Sequence, residues 1–539
     1  MSTSYKVSTP PAPRPGPTAP LTGIRALARA EARRLLRHPA LLVALALCIG
    51  LWGYETVVSG ASDFPVLHDQ DRYLQLQLLL VAAGVFLAVH LAVLRPARDG
   101  TDAWFRTLVL EPWQRAAAHL LAVLPAVALV AVLAGARTVW LALLPGAVGT
   151  PSAAELAAGP AVVLLAGALA VLIGTLSTSV AAGPITLGVL GIATVVGGMF
   201  VFSPWRWWGL IAVEDGHRSG LPSELLGRPA ALHLLYLLLL AAAFGAVALL
   251  RTGLRGPAVR ITTALAVAGA LATGAAQLLP VPDSVTEARD RAVNAPSADQ
   301  RCVRKERITY CAFPEFLDRH REWSRVVDGI LRRVPAAAQR EHYVVRQRIA
   351  PLPSSGGIFN GTLPKESWAD DDRRAGTPGA IVVGTGWGNG DDSATDDTSG
   401  FATSFALRVV RGGAAGGRPA ADRPGTELVC GGPGIVSFWL AAQAAPETAP
   451  ALRSMLKRSW GDVGFGGTLA MARVERGDAE TAMKLLDLPA AEVRAKVAGS
   501  WTELTDPATT STRAAQLLGV SAPAVPPAVP GEEAVQCPR

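Results

Sequence analysis

The chain has 539 residues, half of them hydrophobic, a formal net charge of +7 and five cysteines. The apolar residues crowd into the first half in runs about twenty long, which argues against an ordinary soluble multidomain protein. No basic stripe interleaved with aromatics accompanies the positive charge, so nucleic acid is not the expected partner, and the charge is read as a membrane-topology signal.

Of the 50 basic residues six are lysine, and alanine, glycine and proline are abundant, a composition that points to a GC-rich bacterial genome. Residues 1–20, "MSTSYKVSTPPAPRPGPTAP", lack the apolar core and cleavage site of a secretory signal and are expected to form a disordered cytoplasmic tail. Residues 21–39 follow as a basic amphipathic interfacial helix. There Arg25, Arg29, Arg33, Arg34 and Arg37 surround Ile24, Leu27 and Leu35, which suits the anionic inner surface of a membrane. Simple positive-inside flanking of the first span is compatible with the same residues.

Spans are predicted near 40–58, 73–94, 116–136, 156–175, 184–202, 230–250 and 261–280, because about 20 apolar residues cross a ~30 Å hydrocarbon layer. The expected fold is an α-helical polytopic membrane protein of about seven spans, six at the least, with its membrane domain at 40–280. Arg95, Arg98, Arg106 and Arg115 fill the 95–115 loop, and Arg251, Arg255 and Arg260 fill the 251–260 loop. The alternate loops hold only Arg72, none, and then Arg206, Arg218 and Arg228. This bias puts the N-terminus in the cytoplasm of a bacterial plasma membrane, and seven spans then leave residues 281–539 outside it. Trp205, Trp207 and Trp208 suit a membrane-interface belt.

Cys48 lies in a span, whereas Cys302, Cys311, Cys430 and Cys537 lie in the C-terminal half. Disulfides persist outside the cytoplasm, and Cys302 and Cys311, nine residues apart, are the expected pair; Cys430 and Cys537 remain as an open second pairing. The extracytoplasmic domain opens with a linker-like "PVPDSVTEARDRAVNAPSADQ" and a helical "FPEFLDRHREWSRVVDGILRRVP". A turn-rich middle with short strands such as "AIVVGT" precedes helices from about residue 434, an α-rich α+β layout.

Chemistry-bearing motifs are sparse. No G-x-x-x-x-G-K-[ST] phosphate loop, H-E-x-x-H zinc motif or G-x-S-x-G nucleophile elbow occurs, and "GTGWGNG" and "GDVGFGGT" read as turns. Asp370, Asp371, Asp372, Asp391, Asp392, Asp396 and Asp397 could hold a hard cation, but their setting fits a solvated loop better. No catalytic, cofactor or metal residue is therefore assigned, and the chain is not expected to be an enzyme. Among polar residues near the spans, Gln75, Gln77, His90, His119 and Arg137 fall close to predicted span ends, where snorkelling explains them. Glu55 is kept as the intramembrane candidate.

The stretch "RPARDGTDAWFRTLVLEPWQRAAAHLL", residues 95–121, carries the strongest pattern. Thr101 or Asp102 can cap a short helix in which Trp104 and Leu108, and Phe105 and Val109, lie one turn apart. Glu111 before Pro112 ends it. This gives an amphipathic helix along the inner membrane surface, for which a passive anchor is the plainer role.

The arrangement resembles the membrane subunits of type-two ATP-binding-cassette exporters over about residues 21–260. They are similar in having a basic helix before the first span, an "R-x-x-G-T-[DE]" segment after the second, and a proline-led turn with a basic residue before the third. The resemblance implies that Arg98, Asp99, Gly100, Thr101, Asp102, Glu111, Pro112 and Arg115 dock a separate nucleotide-binding ATPase. It also implies that no cofactor is bound directly, ATP belonging to that partner, and that a second copy or a sister permease subunit shares the lipid bilayer. A seventh span and an external domain depart from the usual six-span pattern. Similar actinobacterial permease-like chains carry an appended domain with a paired-cysteine segment, metallopeptidase-like in some relatives; without the zinc motif this one would be silent. The alternative is a membrane-anchored binding or sensor protein without transport activity, and an external hydrolase would lack both nucleophile and metal set.

Overall fold

A computed structural model describes residues 19–57, 63–101, 110–199, 208–211, 220–349, 363–387, 394–412, 427–459, 461–467, 469–522 and 537. Its first half is a helical bundle: α1 (Ala19–Leu36), α2 (Pro39–Val57), α3 (Leu67–Arg98), α4 (Pro112–Ala142), α5 (Ala153–Leu176), α6 (Ala182–Met199), α7 (Ala230–Arg251) and α8 (Pro257–Ala276). Among the described residues six helices are long and apolar enough to cross a membrane: α2, α3, α4, α5, α7 and α8. Helix α6 is also apolar, with side chains described as far as Val196.

Helix α5 sits at the centre, packed against α3, α4 and α7. Small residues let these helices approach closely. A Cβ on Gly84 would lie 2.8 Å from the Ala40 carbonyl oxygen of α2, and one on Gly167 would lie 2.6 Å from Val123 of α4. Helix α3 has 32 residues, about 48 Å at the helical rise, so it overruns a ~30 Å hydrocarbon layer. Helix α1 packs part of its apolar stripe against α4. Ile24 and Ala28 are buried against Ala118 and the partly buried Trp113 and Ala117 of α4, while Arg25, Arg29, Arg33, Arg34 and Arg37 are exposed.

The expected linker after residue 281 is instead a helix, α9 (Asp283–Asn294). Its Arg289 donates to the carbonyls of Leu225 and Leu226, so neighbouring polar groups give this polar segment a defined seat. A hairpin follows, β1 (Arg301–Lys305) and β2 (Ile308–Ala312), with Cys302 directly opposite Cys311 and bonded to it. Parallel strands β3 (Tyr343–Gln347) and β4 (Ile381–Val383) complete a sheet of order β1-β2-β3-β4.

Helices α10 (His320–Leu331) and α11 (Lys365–Arg374) connect these strands. Helix α12 (Ala394–Arg411) then packs against β4 and against a second sheet of β5 (Glu427–Val429), β6 (Val463–Gly467) and β7 (Ala470–Val474), in order β5-β7-β6. Helices α13 (Gly431–Ala442), α14 (Thr448–Arg458), α15 (Arg476–Leu486), α16 (Ala490–Gly499) and α17 (Ser511–Leu518) surround it.

Two local expectations are overturned. "GDVGFGGT" is not only a turn: Val463 and Phe465 alternate with glycines and are 0% and 1% exposed, so the stretch buries one face as β6. Asp371 and Asp372 are not solvated. They lie buried on α11, where Arg348 bonds both and Arg346 bonds Asp372, at 2.7–3.0 Å. Asp370 is exposed beside Arg373, Asp391 and Asp392 lie outside the described residues, and the side chains of Asp396 and Asp397 are likewise not described.

The open second cysteine pairing is resolved as Cys430–Cys537, which closes 107 residues of chain and ties the far C-terminus to β5. Cys537→Ser should therefore destabilise the C-terminal domain by about 4–5 kcal/mol on the chain-entropy account. Thermal unfolding of the non-reduced protein, followed at the domain's tryptophans, measures it.

Candidate functional site

Residues 95–101 and 110–115 lie at the end of the bundle remote from the C-terminal domain. Pro96 takes one N–H out of the last turns of α3, and the chain then stops on a left-handed glycine: Gly100 has φ +66°. The Asp99 N–H donates to Arg95 O at 2.9 Å and the Thr101 N–H to Pro96 O at 2.9 Å. Arg98, Asp99 and Gly100 are exposed on this turn. Asp102, Trp104, Phe105, Arg106, Leu108 and Val109 lie outside the described residues.

On the far side, Glu111 and Pro112 start α4. Pro112 occupies the first helical position, where a missing N–H costs nothing, and Glu111 shares a reciprocal cap with Gln114, whose Oε1 accepts the Glu111 N–H at 2.9 Å. Glu111 thus has a structural task as well as an exposed position. Arg115 is partly buried.

Helix α1 braces both flanks. Leu110 comes within 3.0 Å of where a Gly23 Cβ would stand, and Glu31, 5% exposed, accepts from Arg95 at 2.9 Å and from Arg34 at 3.0 Å. Glu31, Arg34, His38, Arg95 and His119 line a cavity of about 20 Å³, space for a water or so. Sequence spacing gave no sign of the Glu31–Arg95 bond, because 64 residues separate its ends.

Glu55 does not stand alone. Its carboxylate accepts from Gln77 Nε2 at 2.5 Å and faces Arg137 Nη2 at 3.5 Å, while Gln77 Oε1 accepts from Trp52 Nε1 at 2.5 Å. The Arg137 guanidinium also reaches Thr56 Oγ1 at 3.3 Å and lies over the Trp140 ring at 4.5 Å. Snorkelling therefore does not describe Gln77 or Arg137, which are 7% and 9% exposed and join α2, α3 and α4. Gln75 is also buried, and His90 is fully buried beside Phe86. Apolar windows placed these residues near span ends because α3 begins at Leu67 and α4 continues to Ala142, well beyond the windows. One carboxylate, one guanidinium and an amide make a charge-balanced tie between helices, suited to holding them in register.

Among the described residues no group of three or more His, Cys, Asp or Glu side chains is arranged to hold a metal ion. The network makes a thermodynamic prediction. Glu55→Leu or Arg137→Met alone removes one partner of a partly buried ion pair and should cost about 1–3 kcal/mol, whereas the double variant should recover part of that loss. Thermal denaturation of the detergent-solubilised variants tests the non-additivity. Comparison with known protein families, curated proteins and solved structures finds no match for this chain.

Proposed function

We propose that this chain is the membrane-spanning permease subunit of an ATP-binding-cassette transporter, an exporter whose ATP is hydrolysed on a separate subunit. The observation that carries the reading is the placement of the 95–115 flanks. They form one exposed corner, braced by the arginine-bearing α1, at the bundle end opposite the 281–539 domain. A separate ATPase could bear on that corner and move α3 and α4 together, because both helices terminate there.

A seven-span count fits the path of the chain. Helix α5 starts beside Asp71, whose carboxylate accepts the Ser152 N–H, and its far end at Gly174 lies against Val93. Helix α6 starts near His90 at that far end, since a Cβ on Gly183 would meet the His90 ring. The chain is next described at Trp208, whose indole donates to Gly274 O near the start of α7, where His233 meets Gln277. We read α6 as the crossing that joins the two ends. This reading and the arginine bias together support an N-terminus in the cytoplasm and a C-terminal domain outside a bacterial plasma membrane.

Arg98→Glu should reduce association with the ATPase at least about tenfold, the cost of roughly 1.4 kcal/mol of docking energy, while thermal stability stays unchanged. Co-purification from the native membrane reads this, and unchanged association, or an ATPase that never co-purifies, overturns the proposal. The firm seating of the C-terminal domain on the bundle favours a second reading, a membrane-anchored sensor. Deleting residues 290–539 separates the two: the exporter keeps its ATPase association, whereas the sensor loses all function.

A further inference from the structure

Three loops emerge at the end of the bundle beneath the C-terminal domain, and each joins a different pair of helices. Residues 63–66 link α2 to α3, residues 143–152 link α4 to α5, and residues 220–229 lead into α7. A short 3₁₀ turn, Pro314–Arg319, reaches all three. The Glu315 carboxylate accepts from the Thr150 N–H at 2.6 Å and the Thr150 hydroxyl at 2.5 Å through one oxygen, and from the Ser223 N–H at 2.7 Å through the other. Arg319, with no exposed surface, donates to Gly146 O at 2.6 Å and to Phe64 O at 3.0 Å. Two side chains four residues apart therefore connect the three loops in series: Arg319 joins the first to the second, and Glu315 joins the second to the third.

The surroundings make these bonds hard to replace with water. Val148, Leu221 and Leu226 from the loops pack with Ala292, Phe313, Phe316 and Ile349 of the domain into one buried apolar cluster. Thr385 Oγ1 adds a bond to Gly220 O at 3.1 Å. The turn also has little room to reshape, because Gly149 has φ +86° and a Cβ there would meet His68 Nδ1 at 2.8 Å. Burial by itself would raise the Glu315 carboxyl. The His68 ring 3.5 Å away and bonds from Thr150 and Ser223 outweigh it and hold the group down at about 2, so it stays an ionised acceptor throughout the neutral range.

We propose that the C-terminal domain is a clamp on this end of the bundle, with Pro314–Arg319 as its latch: through Glu315 and Arg319 it adds an outside restraint to the direct bonds that already join the loops beside α3, α5 and α7. A domain that was merely tethered would need contact with one loop. Bridging separate loops through single side chains means that parting the first from the second costs the buried Arg319 guanidinium a bond, and parting the second from the third costs the partly buried Glu315 carboxylate one. The bundle has a tie of its own at this end, since Arg228 bonds both Glu155 and His68 O. The clamp adds restraint to that tie from outside the bundle.

Hydrogen exchange on the full chain in lipid nanodiscs tests the clamp. Glu315→Ala should speed exchange at the Thr150 and Ser223 amides and in the first turns of α5 and α7 by about tenfold or more, with the sheet amides of β1–β4 unchanged. Acceleration confined to 314–319, in both Glu315→Ala and Arg319→Ala, would show the domain to be a passenger and overturn the proposal. If Glu315→Ala loosens the whole domain, Glu315→Gln decides: it keeps the length of the side chain and the direct Thr150–Ser223 bond, and leaves one acceptor oxygen where two serve separate loops. Faster exchange at Thr150 or Ser223 in that variant supports the clamp, and unchanged rates at both refute it. The inference does not rest on the permease reading, since loss of ATPase association would leave these exchange rates as predicted.

Discussion

A polypeptide in hydrocarbon has no water to bond its N–H and C=O groups, so each apolar run must satisfy its own backbone, and a helix does this within one segment. Everything else in the first half of this chain follows from that constraint. Once the helices form, burial of apolar side chains cannot select their arrangement, because lipid tails are as apolar as leucine. The selection falls to close approach at small residues, such as Gly84 against Ala40 and Gly167 against Val123. It falls equally to the few polar groups that would otherwise be stranded.

Those polar groups mark three levels of the bundle. Glu31 and Arg95 join α1 to α3 at one end, Glu55, Gln77 and Arg137 join α2, α3 and α4 within it, and Arg228, Glu155 and Asp71 join α3, α5 and the start of α7 at the other. Each set answers the cost of placing a charge or amide where water is scarce by giving it a partner on another helix. The result is a bundle pinned at both ends, with exposed chain concentrated at one end and a folded domain at the other. A proposed ATPase at the first end and a clamp at the second would act on the same helix, α3, from opposite directions.

The C-terminal domain is built on different terms. Its two sheets share α12, whose Phe401 and Phe405 are buried, and its polar core is a set of arginine–aspartate bonds rather than an isolated charge. One disulfide secures the β1–β2 hairpin, whose first strand is largely exposed, and the other joins Cys430 to the buried Cys537. Such cross-links suit a domain that would work in an oxidising space.

The sequence by itself determined the helical membrane class, the approximate positions of the apolar segments and the Cys302–Cys311 pairing. These are local properties: run length and spacing. Tertiary structure alone decided which polar residues meet. Gln77 and Arg137 became partners of Glu55, Asp371 and Asp372 became a buried ionic core, the expected linker became α9, and Glu315 and Arg319 became the link between loops 92 to 255 residues away. A pairing over such distances leaves no periodicity in the chain, because it depends on where separate elements come to rest and on which buried groups would otherwise lack a partner.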